Sequence, residues 1–303
     1  MTEQLINWGT GAYGRPGEAR RDADIAAYRE AVTDVLAELA GRGNSVSIDM
    51  IEAVLARRLR EPEFGAVLSA VPGGPAAALQ RVLHEVRTYS YNARSAADNL
   101  TAMIRIALLT QIDILWWGYL PPFVTDNDVH KSPNLLHLEA LRRDFKLLFS
   151  YRLQASTLFG RAVRSAERRA APDRSPRTAG LRFPSARSEL VVTLNQIADE
   201  FAAEAPAGTP PLWVTSLARS VGHQQHLRAL GYSAMLPSAH CVGYAADVEM
   251  TWYKQFRADQ ALQSVLLDHQ RAGELNVIDE GQAWHLCIRP GVGRALRLIP
   301  ERP

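Results

Sequence analysis

Hydrophobic residues in the first half of the chain recur at intervals of three and four. This is the period of an α-helix that turns one face to a core. Three stripes of this kind follow one another: Ile25, Tyr28, Val32, Val35, Leu36 and Leu39; Ile51, Val54, Leu55 and Leu59; Leu79, Val82, Leu83 and Val86. Helical spacing continues to about residue 164 without strand-like alternation. The pattern therefore predicts an all-helical domain over residues 1–165.

The longest apolar stretch covers residues 101–120 and ends at Pro121 and Pro122. Arg105, Gln111 and Asp113 interrupt it. A membrane-spanning helix needs about 20 predominantly apolar residues, and charges near its centre are costly. We therefore expect a buried core helix and no transmembrane segment.

The pattern changes between residues 161 and 187, where eight arginines stand against two acidic residues. Pro172, Pro176, Gly180 and Pro184 interrupt any helix there. We interpret residues 166–187 as a basic linker that is solvated and flexible. Contact with nucleic acid or an anionic polymer is the alternative, and the lack of interleaved aromatic residues argues against it.

Helical and strand-like segments are mixed after the linker. The spacing predicts helices near residues 190–201, 221–230 and 258–272. Short strands are predicted near residues 212–217, 244–250, 275–278 and 284–288. Residues 188–303 therefore read as a small α+β domain with an antiparallel sheet.

Composition fits this two-domain view, because 303 residues exceed the usual size of one domain, and 47% hydrophobic and 22% charged residues are typical of a globular protein. A net charge of +2 gives no reason to expect a nucleic-acid partner. The N-terminus shows no secretory signal, so we expect a cytoplasmic location by default, with export by a dedicated secretion or injection system as the alternative. Cys241 and Cys287 are too few for a disulfide scaffold.

Candidate metal chemistry is concentrated in one segment, residues 238–247, and in a later Trp-His pair at residues 284–285. A catalytic zinc site typically uses three nitrogen, sulfur or carboxylate ligands and leaves one position for water. His240, Asp247 and His285 meet that count. Gly243 lies between the first two ligands, where a small residue suits a tight turn.

These residues resemble a known family, the zinc D-Ala-D-Ala carboxypeptidases and dipeptidases and L-Ala-D-Glu endopeptidases, which share their fold with the Hedgehog signalling domain. Residues 238–247 match the family pattern Ser-x-His-x-x-Gly-x-Ala-x-Asp, and residues 284–285 match its Trp-His. The upstream Ser-x-x-Arg corresponds to residues 216–219, and a Gln-containing helix follows. The resemblance covers residues 188–289 and leaves the N-terminal half undescribed.

The resemblance implies a zinc peptidase. His240, Asp247 and His285 would hold zinc, and Arg219 would lie over the site to bind a substrate carboxylate or the oxyanion. We also assign Ser238 and Gln282 to substrate binding. The implied substrates are cell-wall (peptidoglycan) peptides that contain D-amino acids, and the helical domain would serve targeting, docking or lid functions.

The general base is where this chain departs from the family, which carries glutamate three residues before the final histidine. Gln282 occupies that position and cannot accept a proton. Glu280 would project from the same side of an extended chain, so it is our candidate base, with Asp279 as the second choice. Both also read as ordinary turn residues. The alternative function is therefore a non-catalytic, zinc-containing binding domain.

Overall fold

The computed structural model describes residues 18–41, 47–92, 97, 99–144, 146–155, 157, 160, 165, 169–170 and 174–293. Part of the predicted linker, residues 166–168 and 171–173, lies outside them. The chain combines an N-terminal helical region with a C-terminal region that contains an antiparallel sheet. The predicted α+β class is confirmed.

Helices account for most of the N-terminal region. Polar residues cap several of them; for example, the Asn99 side chain accepts the amide hydrogen of Ala102 at the start of the longest apolar helix. In chain order the helices are α1 (Glu18–Gly41), α2 (Ile48–Arg58), α3 (Pro62–Ala70), α4 (Gly74–Thr88), α5 (Leu100–Trp117), α6 (Asp126–Lys131), α7 (Leu138–Arg143), α8 (Ser188–Glu204), α9 (Val221–Ala229) and α10 (Asp259–Arg271).

The strands form two sheets. β1 (Leu136–His137) pairs with β3 (Ser185–Ala186). The five-stranded sheet contains β2 (Ser150–Tyr151), β4 (Trp213–Ser216), β5 (Ala245–Glu249), β6 (Leu275–Asp279) and β7 (Ala283–Ile288) in the order β2-β4-β5-β7-β6. Adjacent strands of this sheet are antiparallel, except for β2 and β4, which are parallel.

The N-terminal half is not entirely helical, because it contributes β1 and β2. Each has two residues, which is too short to produce a readable alternation of polar and apolar positions. β2 extends the C-terminal sheet, so the two halves of the chain share a sheet.

Helix α5 is the buried core helix expected from the apolar stretch. Within the described residues it is the one helix long and apolar enough to cross a membrane, and 72% of that stretch is buried inside the protein. It packs against α1, α3 and α4 and also against the edge strand β6. Arg105, Leu109 and Asp113, spaced four residues apart and so on one helical face, all contact β6.

The predicted linker is ordered where it approaches the sheet. Leu181 and Phe183 are buried, and Leu181 forms a bridge with Leu153. Gly180 has a positive φ of 87°, and a Cβ added there would lie 2.7 Å from the carbonyl oxygens of Arg152 and Leu153. The expectation of a solvated connection is therefore wrong for residues 181–186, since these residues bury apolar side chains and extend the hydrogen-bonded structure.

One continuous hydrophobic cluster runs from Ile25 on α1 to Ile288 on β7. It places apolar residues of α5 and of the sheet in the same core. The predicted division at residues 165 and 188 stays a prediction.

Candidate metal centre

Three side chains that the sequence singles out converge inside the C-terminal region. Nε2 of His240 lies 3.1 Å from Oδ1 of Asp247 and 3.1 Å from Nδ1 of His285. The latter nitrogen is also 3.1 Å from the same Asp247 oxygen. Ligand atoms about 2.0–2.1 Å from a tetrahedral metal ion lie roughly 3.3 Å from one another, so the three atoms match one coordination shell. This buried group could hold a metal ion.

Strand pairing explains why two of the groups meet. Asp247 lies in the middle of β5 and faces His285 on β7 as its register partner. Directly opposite residues of an antiparallel pair have Cβ atoms about 4.5–5.5 Å apart, within reach of a shared ion. The later Trp-His pair and the aspartate of the first motif therefore come together through the sheet register.

His240 reaches the same point from a short 3-10 helix, residues Ala239–Val242, that precedes β5. The Ser238 hydroxyl accepts the amide hydrogen of His240 at the start of this helix, and no contact places Ser238 in the cleft described below. Gly243 ends the helix with a φ of 82°, and a Cβ there would lie 2.8 Å from Leu135. The glycine of the motif is thus favoured by its positive φ, and a side chain there would also displace the end of Leu135.

The orientation of His240 is fixed by the protein. Its Nδ1 donates to the carbonyl oxygen of Leu217 at 2.7 Å, which leaves the Nε2 lone pair directed at the metal position. Burial lowers the pKa of His240, and the positive charge of Arg219 lowers it further. The imidazole is therefore neutral, the form in which histidine binds metals.

Arg219 forms an ion pair with the Asp247 oxygen that faces away from the histidines. Its other nitrogens donate to Ser216 Oγ at 2.8 Å and Gln224 Oε1 at 3.2 Å. Burial raises the pKa of Asp247, but His240 and Arg219 outweigh it and hold this pKa well below its usual range. The ion pair of Arg219 with Asp247 is thus observed, and substrate contact by Arg219 stays a prediction.

Asp113 is a functional candidate that sequence reasoning missed. Its Oδ2 lies 2.8 Å from Nε2 of His285, on the ring edge opposite the metal position. Burial lowers the pKa of His285, but Asp113 and Asp247 outweigh burial and raise it well above its usual range. The available signal was an acidic residue inside an apolar helix, since a buried carboxylate requires a partner.

A cleft of about 510 Å³ opens above the metal position. Asp247 and Arg219 line it, whereas His240 and His285 lie beneath its surface. Residues 177–183, from the predicted linker, also line the cleft, together with Tyr232. A ligand bound in the cleft would therefore be near both the metal group and the linker segment.

Glu280 also lines this cleft, close enough to the metal group for their charges to interact. Burial and the Asp247 carboxylate raise the pKa of Glu280 to about 7. Asp279, the second choice for the base, accepts the Gly281 amide hydrogen at 2.7 Å and does not line the cleft. Gln282 is exposed at the cleft edge. Its backbone carbonyl oxygen accepts hydrogen bonds from the backbone amides of Met250 and Thr251.

Both cysteines are buried free thiols. Burial raises the pKa of Cys241 to about 12 and that of Cys287 well above its usual range, and Asp113 raises the latter further. Cys287 lies beside Asp113 and is not a member of the metal group. These properties fit apolar filling of the core.

Comparisons with known proteins find no family model, no curated protein and no solved structure that matches the chain. The resemblance to the zinc peptidases therefore rests on the motif residues alone and stays a prediction. What carries the functional argument is the arrangement of donors, carboxylates and charges in the site.

Proposed function

We propose that this chain is a zinc-dependent hydrolase of peptide bonds. One observation carries the proposal: a buried group of two imidazoles and one carboxylate lies beneath a cleft that also holds the carboxylate of Glu280. Motif resemblance supports the reaction class and suggests peptidoglycan-derived peptides with D-amino acids as substrates. A cleft of about 510 Å³ is in the size range that accommodates a short peptide.

The donor set fits zinc. Two histidine nitrogens and one aspartate oxygen are common zinc ligands, and three protein ligands leave one coordination position for water or substrate. Both sulfur donors of the chain lie outside the group, so the site is not of the closed, thiolate-rich structural type. Bound zinc would supply a water of lowered pKa and would polarise the scissile carbonyl.

Glu280 is the residue we propose as general base. A base works best when its pKa lies near the working pH, and the pKa of Glu280 is raised to about 7. Its carboxylate would accept the proton released as water attacks and would then hold it for the leaving amine. Gln282 has no such capacity, so Glu280 would supply the carboxylate that this chain lacks at the family's glutamate position.

Arg219 would provide the positive charge at the cleft surface. Hydrogen bonds to Ser216 and Gln224 fix its guanidinium, whose planar donors suit a carboxylate. A fixed cation at the edge of the cleft could bind a substrate carboxylate or stabilise the oxyanion that forms on attack. Its pairing with Asp247 keeps it in position for this role.

Zinc content and peptide cleavage test the proposal together. We expect stoichiometric zinc in the wild type and in Glu280→Gln, and loss of zinc in His240→Ala. The wild type should cleave D-Ala-D-Ala or a muropeptide, and Glu280→Gln should lose about 10²–10⁴-fold in kcat, the usual contribution of a general base. Asp279→Asn is the matched control, because it alters the neighbouring carboxylate outside the cleft.

Three results would contradict different parts of the proposal. Stoichiometric zinc without cleavage of any peptide would favour the non-catalytic binding domain. A wild type that binds no zinc would remove the metal centre itself. Full activity in Glu280→Gln, with loss in Asp279→Asn, would transfer the base to Asp279.

A further inference from the structure

We infer that Asp113, oriented by Asn276, is a positioning residue for the metal ligand His285, so that the helical region completes the metal centre. This inference rests on the proposed zinc site and concerns how that site is held. The three residues belong to α5, β6 and β7. Asp113 and Asn276 are 2% and 0% exposed, so water cannot replace their contacts.

A continuous chain of hydrogen bonds links these residues. The Asn276 amide nitrogen donates to Oδ1 of Asp113 at 2.7 Å and to the carbonyl oxygen of Leu109 at 3.0 Å. The other Asp113 oxygen, Oδ2, lies 2.8 Å from Nε2 of His285. Asn276 thereby uses both of its amide hydrogens on α5 and fixes the plane of the Asp113 carboxylate.

This arrangement determines which nitrogen of His285 is free to bind a metal ion. An ionised carboxylate can only accept hydrogen bonds, so Nε2 carries the hydrogen. In the neutral form of His285, which metal binding requires, Nδ1 would then present its lone pair to the position shared with His240 and Asp247. Carboxylates that hold a histidine ligand in this way orient the ring and increase the basicity of the coordinating nitrogen.

Asp113 needs a compensating positive charge in its buried position. Burying a carboxylate in an apolar helix is unfavourable, and a hydrophobic residue of similar volume would pack against β6 without that cost. Asn276 supplies a neutral amide and cannot compensate the charge. Arg29, with which Asp113 interacts electrostatically, and the His285 ring, with which it pairs, supply positive charge nearby. A metal ion bound at Nδ1 would keep a positive charge on the far side of that ring when the ring itself is neutral.

Helix α5 contacts the site at a second point. Arg105, two turns before Asp113, donates to the carbonyl oxygen of Asp279 at 2.8 Å, directly before Glu280. One face of α5 therefore holds both a metal ligand and the turn that carries the proposed base. This agrees with a positioning role for the helix rather than a local accident of packing.

NMR spectroscopy of the full, zinc-loaded chain tests the proposed hydrogen bond directly. In the wild type, labelled with ¹⁵N-histidine, the Nε2 hydrogen of His285 should give a low-field, slowly exchanging signal because a buried carboxylate accepts it. Asp113→Asn should shift this signal upfield or abolish it. A general change in the stability of the fold would not shift the signal of the Nε2 hydrogen.

Zinc affinity, measured by chelator competition, gives the second readout. Loss of such a partner typically weakens metal binding about 10–100-fold, and we expect this for Asp113→Asn. Asn276→Ala keeps the charge and removes only the orienting donor, so a smaller loss is expected. Glu85→Gln is the matched control and should leave zinc affinity unchanged. It neutralises a half-buried carboxylate of the helical region that is paired with Arg228.

The outcomes separate this inference from the proposed function. A wild type that binds zinc and cleaves peptide, with Asp113→Asn affinity unchanged within about threefold, would overturn only the role of Asp113, since the expected loss is at least tenfold. A wild type without zinc would overturn the metal centre first. If Asp113→Asn does not fold, unchanged affinity in Asn276→Ala together with a wild-type Nε2 signal that lacks the low-field shift would overturn the inference.

Discussion

Burial of Glu280 lowers the stability of the folded protein near neutral pH. Its carboxyl group is half-buried beside Asp247, and its pKa is raised to about 7 from 4.5. The folded protein therefore favours the protonated form, while the unfolded chain releases the proton near its ordinary pKa. Between these two values, each increase in pH favours unfolding, because the unfolded state binds fewer protons there.

Removing that titration should stabilise the protein at high pH. In the presence of a chelator, Glu280→Gln should be about as stable as the wild type near pH 4.5 and about 3 kcal/mol more stable above pH 7. Urea unfolding of both proteins at pH 5 and pH 8.5 measures the difference. Equal differences at the two pH values would show that Glu280 titrates normally and would weaken its assignment as the base.

The residues that could be predicted are those whose spacing in the chain carries the signal. His240 and Asp247 stand in one short motif, and His285 follows tryptophan in a strand that pairs with β5. Asp113 lies 172 residues from His285, and no local pattern records that contact. Its lone negative charge within an apolar stretch could be seen, but its partner could not be named.

At the scale of elements, the segment 177–183 illustrates where a composition-based interpretation failed. Its arginines and the flanking Pro176 and Pro184 suggested solvation, yet Leu181 and Phe183 are buried and the segment lines the cleft. Gly180 permits the close approach to the backbone at Arg152 and Leu153. A count of charged residues describes the exposed side chains of such a segment. It gives no information about its two buried apolar residues.

Gly180→Ala should therefore cost more than the usual strain of a left-handed residue. Gly208→Ala is the matched control, because Gly208 has nearly the same φ, 86° against 87°, and no atom within 4 Å of an added Cβ. We expect about 1–2 kcal/mol for Gly208→Ala and at least about 1 kcal/mol more for Gly180→Ala, from the clash with two carbonyl oxygens. Urea unfolding of both variants measures this. Equal losses would mean that the segment does not depend on this close approach.

For the whole molecule, the fold class and the order of the C-terminal elements could be predicted, because helices and strands there have regular periods. The connections between the halves could not. β2 joins the sheet from the N-terminal half, and α5 packs on the edge strand β6. Both contacts join residues that are far apart in the chain, for which periodicity gives no information.

A core shared by both halves predicts a single cooperative unfolding transition. Calorimetry of the full chain should give equal calorimetric and van't Hoff enthalpies, as two-state unfolding requires. Two separate transitions, one of which shifts with zinc while the other does not, would instead support the division into a helical domain of residues 1–165 and a zinc domain of residues 188–303. Intrinsic tryptophan fluorescence and circular dichroism should show the same midpoint if the first expectation holds.

The long separation between Asp113 and His285 has a consequence for how the protein would acquire its metal during synthesis. His240, Asp247 and His285 fall within 45 residues of one another, so a nascent or partly folded chain can gather them early. Asp113 reaches His285 only when α5, which is synthesised much earlier, has packed against β6. A chain that is incomplete or damaged in its helical part would then hold zinc weakly, and tight retention of the ion would mark correctly finished molecules.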